Sequence, residues 1–331
     1  MKHDLAGTTP PTRFLNRRFS LPEIHDFSSK ASDTSCREVK NLLARKTATT
    51  SDCISLTPGC SQALLQTLAA ICNPKDKILV EKPFYEPFIA AAKFLGLHVV
   101  HFERSGVFQR DYEKIRRRAK SVDAILISNP HCPTGWMYSS IELDLISRLG
   151  AKLVVDEIYL PLFTKGELTR IHDSSGISIS GLSKSTGLAA ARVGWIRADS
   201  GTISGINRIA LNLHVDMPLP SLRIAEMALK SWDKLLKPTL DTIDKNHGIL
   251  TNFAHELNLP IVDAASTGSF VSIQTPQEFK SGRSFAKRLL EHSIWVRAGE
   301  DFGNPGTVRM HMMSEPKKFR DVIRILEKFY A

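Results

Sequence analysis

Between Ile54 and Asp156 the sequence alternates short apolar runs with helix-length segments, and this alternation constrains the fold more than any other feature. Residues 54–57, 77–80, 98–102, 124–128 and 152–156 have the length and apolar content of strands. Helical patterns over 61–71, 86–94, 111–118 and 139–149 separate them. Repetition of this kind predicts an α/β fold, a mostly parallel sheet with helices on both faces. Ligands on such sheets bind outside the carboxyl ends of the strands. Gly59, Ser61, Tyr85, Asn129, Asp156 and Tyr159 all fall on that rim. One polar residue at a strand end means little, but so many on one rim point to a single site.

The pattern changes after this. A brief strand precedes Lys184, and residues 193–197 form another. Helices then dominate over 203–211 and 221–230. The longest helical pattern runs from 237 to 257, with Leu240, Ile243, His247, Leu250 and Phe253 at helical spacing. It leads into strands near 269–273, 294–297 and 307–312 and helices over 281–292 and 316–329, an α+β pattern. The expected organisation is an arm over 1–35, a large domain over 36–235 and a small C-terminal domain over 236–331. The arm is rich in Pro, Thr, Ser and Arg and lacks periodicity, so it reads as extended or loosely packed. A short helix over 35–45 takes Ser35 as its N-cap.

A chain of 331 residues buries a large core. Its 44 Lys and Arg against 34 Asp and Glu give a net charge of +10, which favours anionic small molecules. No zinc spacing, helix-turn-helix or RNA-binding signature accompanies the charge, so nucleic acid is not expected as a partner. The basic run 114–120 reads as the solvated face of a helix. Five cysteines (Cys36, Cys53, Cys60, Cys72 and Cys132) stand at irregular spacing without a CxxC pair. They fit neither a disulfide framework nor a metal site, and they suit a reducing cytoplasm. No apolar run reaches the roughly 20 residues that span a bilayer, and residues 1–7 lack the apolar core of a secretory signal. The Arg and Thr content through Arg18 has a transit-peptide flavour that Asp4 weakens.

Two segments carry chemistry. The predicted strand 54–57, the break at Pro58-Gly59 and the helix that follows have the order of a phosphate site, where first-turn amides lack partners and the helix dipole is positive. In the stretch 180–195, Lys184 sits among small and hydroxyl residues and Arg192 follows eight positions later. A lysine becomes a nucleophile when desolvation or a nearby cation lowers its pKa, and an arginine suits bidentate grip of a phosphate. Alone, each has a plainer reading: a solvated loop lysine and an ordinary strand-to-helix turn.

Six segments together carry a resemblance. They are Thr57-Pro-Gly-Cys-Ser-Gln-Ala, Glu81-Lys-Pro-Phe-Tyr, Asn129-Pro-His-Cys-Pro-Thr-Gly135, Val155-Asp-Glu-Ile-Tyr159, Gly181-Leu-Ser-Lys-Ser-Thr-Gly-Leu-Ala-Ala-Ala-Arg-Val-Gly194, and Arg297-Ala-Gly-Glu-Asp-Phe-Gly followed by Arg309. In order and approximate spacing they resemble the class I/II aminotransferases, fold-type-I enzymes of pyridoxal 5′-phosphate (PLP). The resemblance implies a seven-stranded-type, mostly parallel sheet with a smaller α+β domain, PLP as cofactor, and a homodimer. Lys184 resembles the lysine that forms the Schiff base and shuttles the substrate Cα proton. Asp156 resembles the carboxylate paired with the pyridine nitrogen, and Tyr159 the phenol that bonds the ring oxygen. Tyr85 resembles the aromatic stacked on the ring, and Arg192 the phosphate-gripping arginine. The amides of Cys60, Ser61 and Gln62 would complete the phosphate cup. Arg309 resembles the clamp for the substrate α-carboxylate. Singly, Asp156 reads as a turn aspartate, the tyrosines as core aromatics and Arg309 as a surface arginine. Trp136, Tyr138 and Met312 stand near these motifs and read either as pocket wall or as core.

The chain also departs from the family. Cys132 stands where the family has an Asn that donates to the ring oxygen, and a thiol donates weakly. Gly181 replaces a Ser or Thr that touches the phosphate, a role left to Ser180 or Ser183. No tyrosine precedes Tyr85 to match the partner-chain tyrosine at the phosphate, and the arm that closes over substrate is reduced. The resemblance implies an aminotransferase acting on an L-amino acid and a 2-oxo acid. The alternatives are a PLP decarboxylase, lyase or cyclase and an inactive PLP-fold binding or regulatory protein. The short N-terminus is similar to the histidinol-phosphate aminotransferase and threonine-phosphate decarboxylase branches, which brings in a phosphorylated substrate. Retention of Lys184, Asp156, Tyr159, Arg192 and Arg309 opposes the inactive reading.

Overall fold

A computed structural model of the chain describes residues 3–11, 23–172, 176–257 and 268–330. In chain order its elements begin with β1 (His3–Asp4), α1 (Ser29–Lys46), β2 (Ile54–Thr57), α2 (Cys60–Ile71), β3 (Lys77–Lys82), α3 (Glu86–Phe94), β4 (His98–Glu103) and α4 (Phe108–Ala119). They continue with β5 (Ala124–Ser128), α5 (Ser140–Ser147), β6 (Lys152–Asp156), β7 (Gly176–Gly181), β8 (Gly194–Arg197), α6 (Ser200–Leu213), α7 (Leu219–Lys230) and α8 (Trp232–Glu256). The last part holds β9 (Phe270–Gln274), α9 (Gly282–Glu291), β10 (Ile294–Trp295), β11 (Arg297–Ala298), β12 (Thr307–His311) and α10 (Pro316–Tyr330).

The α/β expectation holds. Seven strands form one sheet in the order β2-β8-β7-β6-β5-β3-β4. β3, β4, β5, β6 and β7 pair in parallel, and β8 runs antiparallel to both β7 and β2. Every residue of β5 and β7 is buried, as expected of strands covered on both faces. One face packs a cluster that includes Phe88, Leu126, Trp195 and Leu222. The other packs Leu79, Phe102, Ile125 and Leu153. Truncating a wholly buried ring such as Phe88 to Ala would cost about 3–5 kcal/mol.

This topology sets the rim. The carboxyl ends of β2, β5, β6 and β7 carry Gly59, Asn129, Asp156 and the loop to Lys184. β8 runs the other way, so its first residue, Gly194, comes to the same rim, opposite Thr57 and Gly181.

Several boundaries differ from expectation for identifiable reasons. α1 starts at Ser29, and its N-cap is Ser28, whose Oγ accepts from the Ala31 amide at 3.2 Å. Ser35 lies inside the helix, 1% exposed, because a polar first turn gives no apolar signal. α5 is capped by Ser139 and Glu142 in a reciprocal box. α8 begins at Trp232 and continues through Pro238; the buried stripe of Leu236, Ile243, Leu250 and Phe253 holds it there. The strand expected over 294–297 divides in two. Ile294–Trp295 pairs in parallel with β1, whereas Arg297–Ala298 joins the antiparallel sheet β11-β12-β9.

The arm is the clearest difference. Residues 3–9 are not loosely packed: β1 pairs with β10 and Leu5 is 1% exposed. Residues 12–22, which include the arginines read as transit-like, lie outside the described residues.

Candidate active site

The turn between β2 and α2 is built for close approach. Gly59 takes φ 93°, and its amide donates to the Thr57 carbonyl at 2.7 Å. A Cβ on Gly59 would lie 2.3 Å from Arg192 Nη2. A Cβ on Gly194 would lie 2.4 Å from Gly59 C and 2.6 Å from Cys60 N. Only glycine leaves room for the guanidinium and the helix start to share this corner. Arg192 itself takes φ 49° at the end of a short 3₁₀ turn over Ala189–Ala191. Cys60, Ser61 and Arg192 line the cleft. The Gln62 amide instead donates back to the Gly59 carbonyl at 3.1 Å, and Gln62 is not among the cleft-lining residues. Gln62 closes the turn behind the cleft-lining Cys60 and Ser61.

The cleft beside this corner has a volume of about 210 Å³. Tyr85, Cys132, Asp156, Tyr159, Ser183 and Lys184 line it with the cup residues. Asp156, at the end of β6, is 6% exposed. Its Oδ1 accepts from the Ile158 amide at 3.0 Å and from the Cys60 thiol at 3.7 Å. Burial pushes its carboxyl up to about 6, against the pull of these donors and of Lys184. Burial also raises the Cys60 thiol well above its usual range, and Asp156 adds to that, so Cys60 is a donor here.

Lys184 follows β7 in the loop that turns toward Arg192. Burial lowers the pKa of its amine, and Arg309 lowers it further. Nζ lies 5.7 Å from the centroid of the Tyr159 ring. The amine donates to Thr8 Oγ1 at 2.7 Å, and Thr9 also lines the cleft. The reading of 1–35 as a loose arm missed these two residues; no sequence signal ties position 8 to position 184. Tyr159 packs edge-on against Phe270 at 4.9 Å, and burial holds its phenol protonated far above the usual range.

Arg309, on β12, lies behind this wall and is 5% exposed. Nη1 donates to Cys132 Sγ at 3.5 Å and Nη2 to the Ala6 carbonyl at 3.1 Å, while Nε has no partner among the described residues. Burial raises the Cys132 thiol, with Arg309 opposing. Tyr85 stands at the N-cap of α3. Trp136 and Tyr138 pack away from the cleft. Trp136 stacks on His131 at 5.9 Å, and the Tyr138 hydroxyl donates to Asp111 at 3.0 Å. Met312 is wholly buried.

A polar layer lies beneath the rim. Glu81 accepts from Arg104 Nη1 at 2.7 Å and from the amide and hydroxyl of Ser128, each at 2.6 Å. Arg104 also donates to the Ser128 and Trp136 carbonyls and lies 3.9 Å from the Tyr138 ring centroid. Ser128 Oγ accepts from the Cys132 amide at 3.1 Å, so this layer sets the loop that carries Cys132. Asn129 clamps the same loop through both the amide and the carbonyl of Tyr138. Burial pushes His131 down to about 4, so it is neutral. Separate charged residues of this kind read as surface in a sequence, and the layer was not foreseen. Among the described residues no group of three or more His, Cys, Asp or Glu could hold a metal, and no helix is long and apolar enough to cross a membrane.

This fold is that of solved fold-type-I aminotransferases. A PLP-dependent aminotransferase from Streptococcus suis superposes with a TM-score of 0.83 at 20% identity, covering 99% of this chain and 92% of that one. The aspartate aminotransferase of Thermus thermophilus with maleate gives 0.81 at 20% identity, over 98% and 91%. In sequence, the aspartate/prephenate aminotransferase of Thermus thermophilus is 25% identical over 291 residues, 83% of this chain and 74% of that protein. The pattern of the family "Aminotransferase class I and II" matches residues 27–326. The chain belongs to that family, whose members depend on PLP.

Proposed function

We infer that this chain is an aminotransferase that holds PLP in the cleft and moves an amino group between an L-amino acid and a 2-oxo acid. The observation that carries the reading is the meeting of Lys184, Asp156 and the Gly59–Arg192 corner around one cleft, with Arg309 behind its wall donating to Cys132. The cleft fits the cofactor on two counts. The corner excludes any Cβ that would fill it, and Lys184, Asp156 and Arg192 line one and the same cleft.

When bound, PLP supplies an aldehyde that condenses with primary amines and a ring that takes up the electron pair left when the Cα proton departs. The protein's residues do the rest. Arg192 and the first amides of α2 would hold the phosphate, at the positive end of the helix. Asp156 is mostly ionised at neutral pH and offers its charge to the ring nitrogen. Tyr159 and Cys132 offer an O–H and a weaker S–H to the ring oxygen. Tyr85 walls the ring, with Ser183 beside the lysine. Arg309 orients the substrate carboxylate. Lys184, its pKa lowered by burial, takes the Cα proton in its neutral form and later delivers it.

The same reading carries the division into an arm over 1–35, a large part over 36–235 and a small part over 236–331, a cytoplasmic location and a homodimer. All five cysteines are free, the form kept in reducing compartments. Light scattering is expected to give twice 36.9 kDa. The deciding test incubates the PLP-loaded protein with a panel of amino acids, aspartate and glutamate first, and separates products by mass spectrometry. Stoichiometric 2-oxo acid supports transamination. Carbon dioxide with an amine, or an eliminated product, replaces it with a decarboxylase or lyase.

A further inference from the structure

Resting on this reading of the cleft, a further role falls to the segment from Asp4 to Thr9. Its first residues are anchored by backbone pairing. His3 and Asp4 pair with Ile294 and Trp295. The Leu5 amide donates to the Trp295 carbonyl at 2.8 Å, and the Leu5 carbonyl accepts from the His311 amide at 2.9 Å. His311 Nε2 lies 2.7 Å from the Asp4 carbonyl. Asp4 Oδ1 accepts from the amides of Ala6 and Gly7 at 3.0 and 3.1 Å, which fixes the turn that follows. The Ala6 carbonyl is held by Arg309. Thr8 is therefore presented from a fixed base, and its hydroxyl meets the Lys184 amine at 2.7 Å.

We propose that Thr8 is a positioning residue for the reaction: its hydroxyl holds the Lys184 amine whenever that amine is released from the cofactor, and favours its protonated state there. A hydroxyl oxygen has two lone pairs, so Thr8 accepts from Lys184, a group this reading places at the cofactor. A hydrogen bond accepted from an ammonium stabilises the charged form. It thus opposes the other influences on this amine, which are burial and Arg309 on β12. Cys132, Asp156 and Cys60 are the remaining titratable groups that act on it, and the Tyr159 ring faces it.

The test is competitive acetylation of the full-length, cofactor-free protein with acetic anhydride across pH, with Lys184 read by mass spectrometry. Thr8→Val is expected to move the Lys184 midpoint down by about half a pH unit, roughly a threefold gain in free amine below the midpoint. Thr8→Ser is expected to keep the wild-type midpoint. Thr8→Ala carries the same expectation as Thr8→Val and replaces it if valine disturbs the strap. An unmoved midpoint in the variants without a hydroxyl, or an equal shift with Thr8→Ser, overturns the proposal. PLP uptake by the wild type, followed by its visible band, tests the functional reading separately. A chain that takes up no PLP loses that reading, while the acetylation result still decides the role of Thr8.

Discussion

Asp156 and Glu157 follow one another at the end of β6, and both are nearly or wholly buried. Glu157 points into the protein behind the rim. Its carboxylate accepts from the Ser178 and Thr169 hydroxyls and from the Arg170 amide at 2.7 Å. Burial nonetheless pushes it up to about 7. Asp156 faces the cleft, where one backbone amide and one thiol serve it. Glu81, in the layer behind the rim, is served like Glu157, with donors on both oxygens. Buried charge supplied with partners by its own chain is architecture. Buried charge left short of partners is set for a ligand.

The largest effect expected from breaking this contrast is at the amine. Lys184→Ala should lower transamination by at least about 10³-fold, measured by 2-oxo acid formation, with the fold intact by circular dichroism. Asp156→Asn removes the charge offered to the cofactor ring. It should lower kcat/KM by about 10²-fold, or roughly 2.7 kcal/mol of transition-state stabilisation, with little change in melting temperature. Gly194→Ala forces a Cβ into the Gly59–Cys60 corner. A steric cost of about 1–3 kcal/mol should weaken PLP binding by about tenfold or more in a fluorescence titration.

Glu157→Gln should do the reverse of Asp156→Asn. It puts amide hydrogens against donors, costs about 1–3 kcal/mol of stability and changes kcat by less than about twofold. The smallest effect is its pH dependence. Burial raises the folded pKa of Glu157 to about 7, above the usual value of about 4.3 in an unfolded chain. Below both values the group is protonated in both states and its burial cost is absent. As pH rises from about 4 to 7 the unfolded chain loses the proton first, so wild-type stability falls. Glu157→Gln removes this titration, so its deficit should narrow as pH rises. Urea unfolding at several pH values measures it, and a deficit constant with pH would place the charge on Glu157 in water.

Much of the rim was legible because strand-end residues are set by local pattern. Thr57-Pro-Gly ends an apolar run, Val155-Asp ends another, and the small residues around Lys184 mark a tight loop. Most of the expected site residues do line one cleft. Gln62 closes the turn through its amide, and a motif does not tell which amide does so. The helix start at Ser29 was missed because α1 opens with Ser-Lys-Ala-Ser-Asp, a polar turn with no apolar face. Glu81, Arg104 and Asp111 were unreadable for another reason. Charges far apart in sequence look solvated until a fold brings them together. Thr8 is the extreme case, since the two-residue strand before it has no period to detect.

The strap also bears on how the molecule comes into being. The Ala6 carbonyl and the guanidinium that holds it are 303 residues apart, and the Asp4–His311 contact spans 307. A ribosome releases the first member of each pair long before the second. The seven-stranded sheet can assemble while translation continues, but the N-terminal wall of the cleft must wait for β10 and β12. A nascent chain halted before residue 294 would contain Lys184, Asp156 and Arg192 and would still leave the amine without its hydroxyl partner.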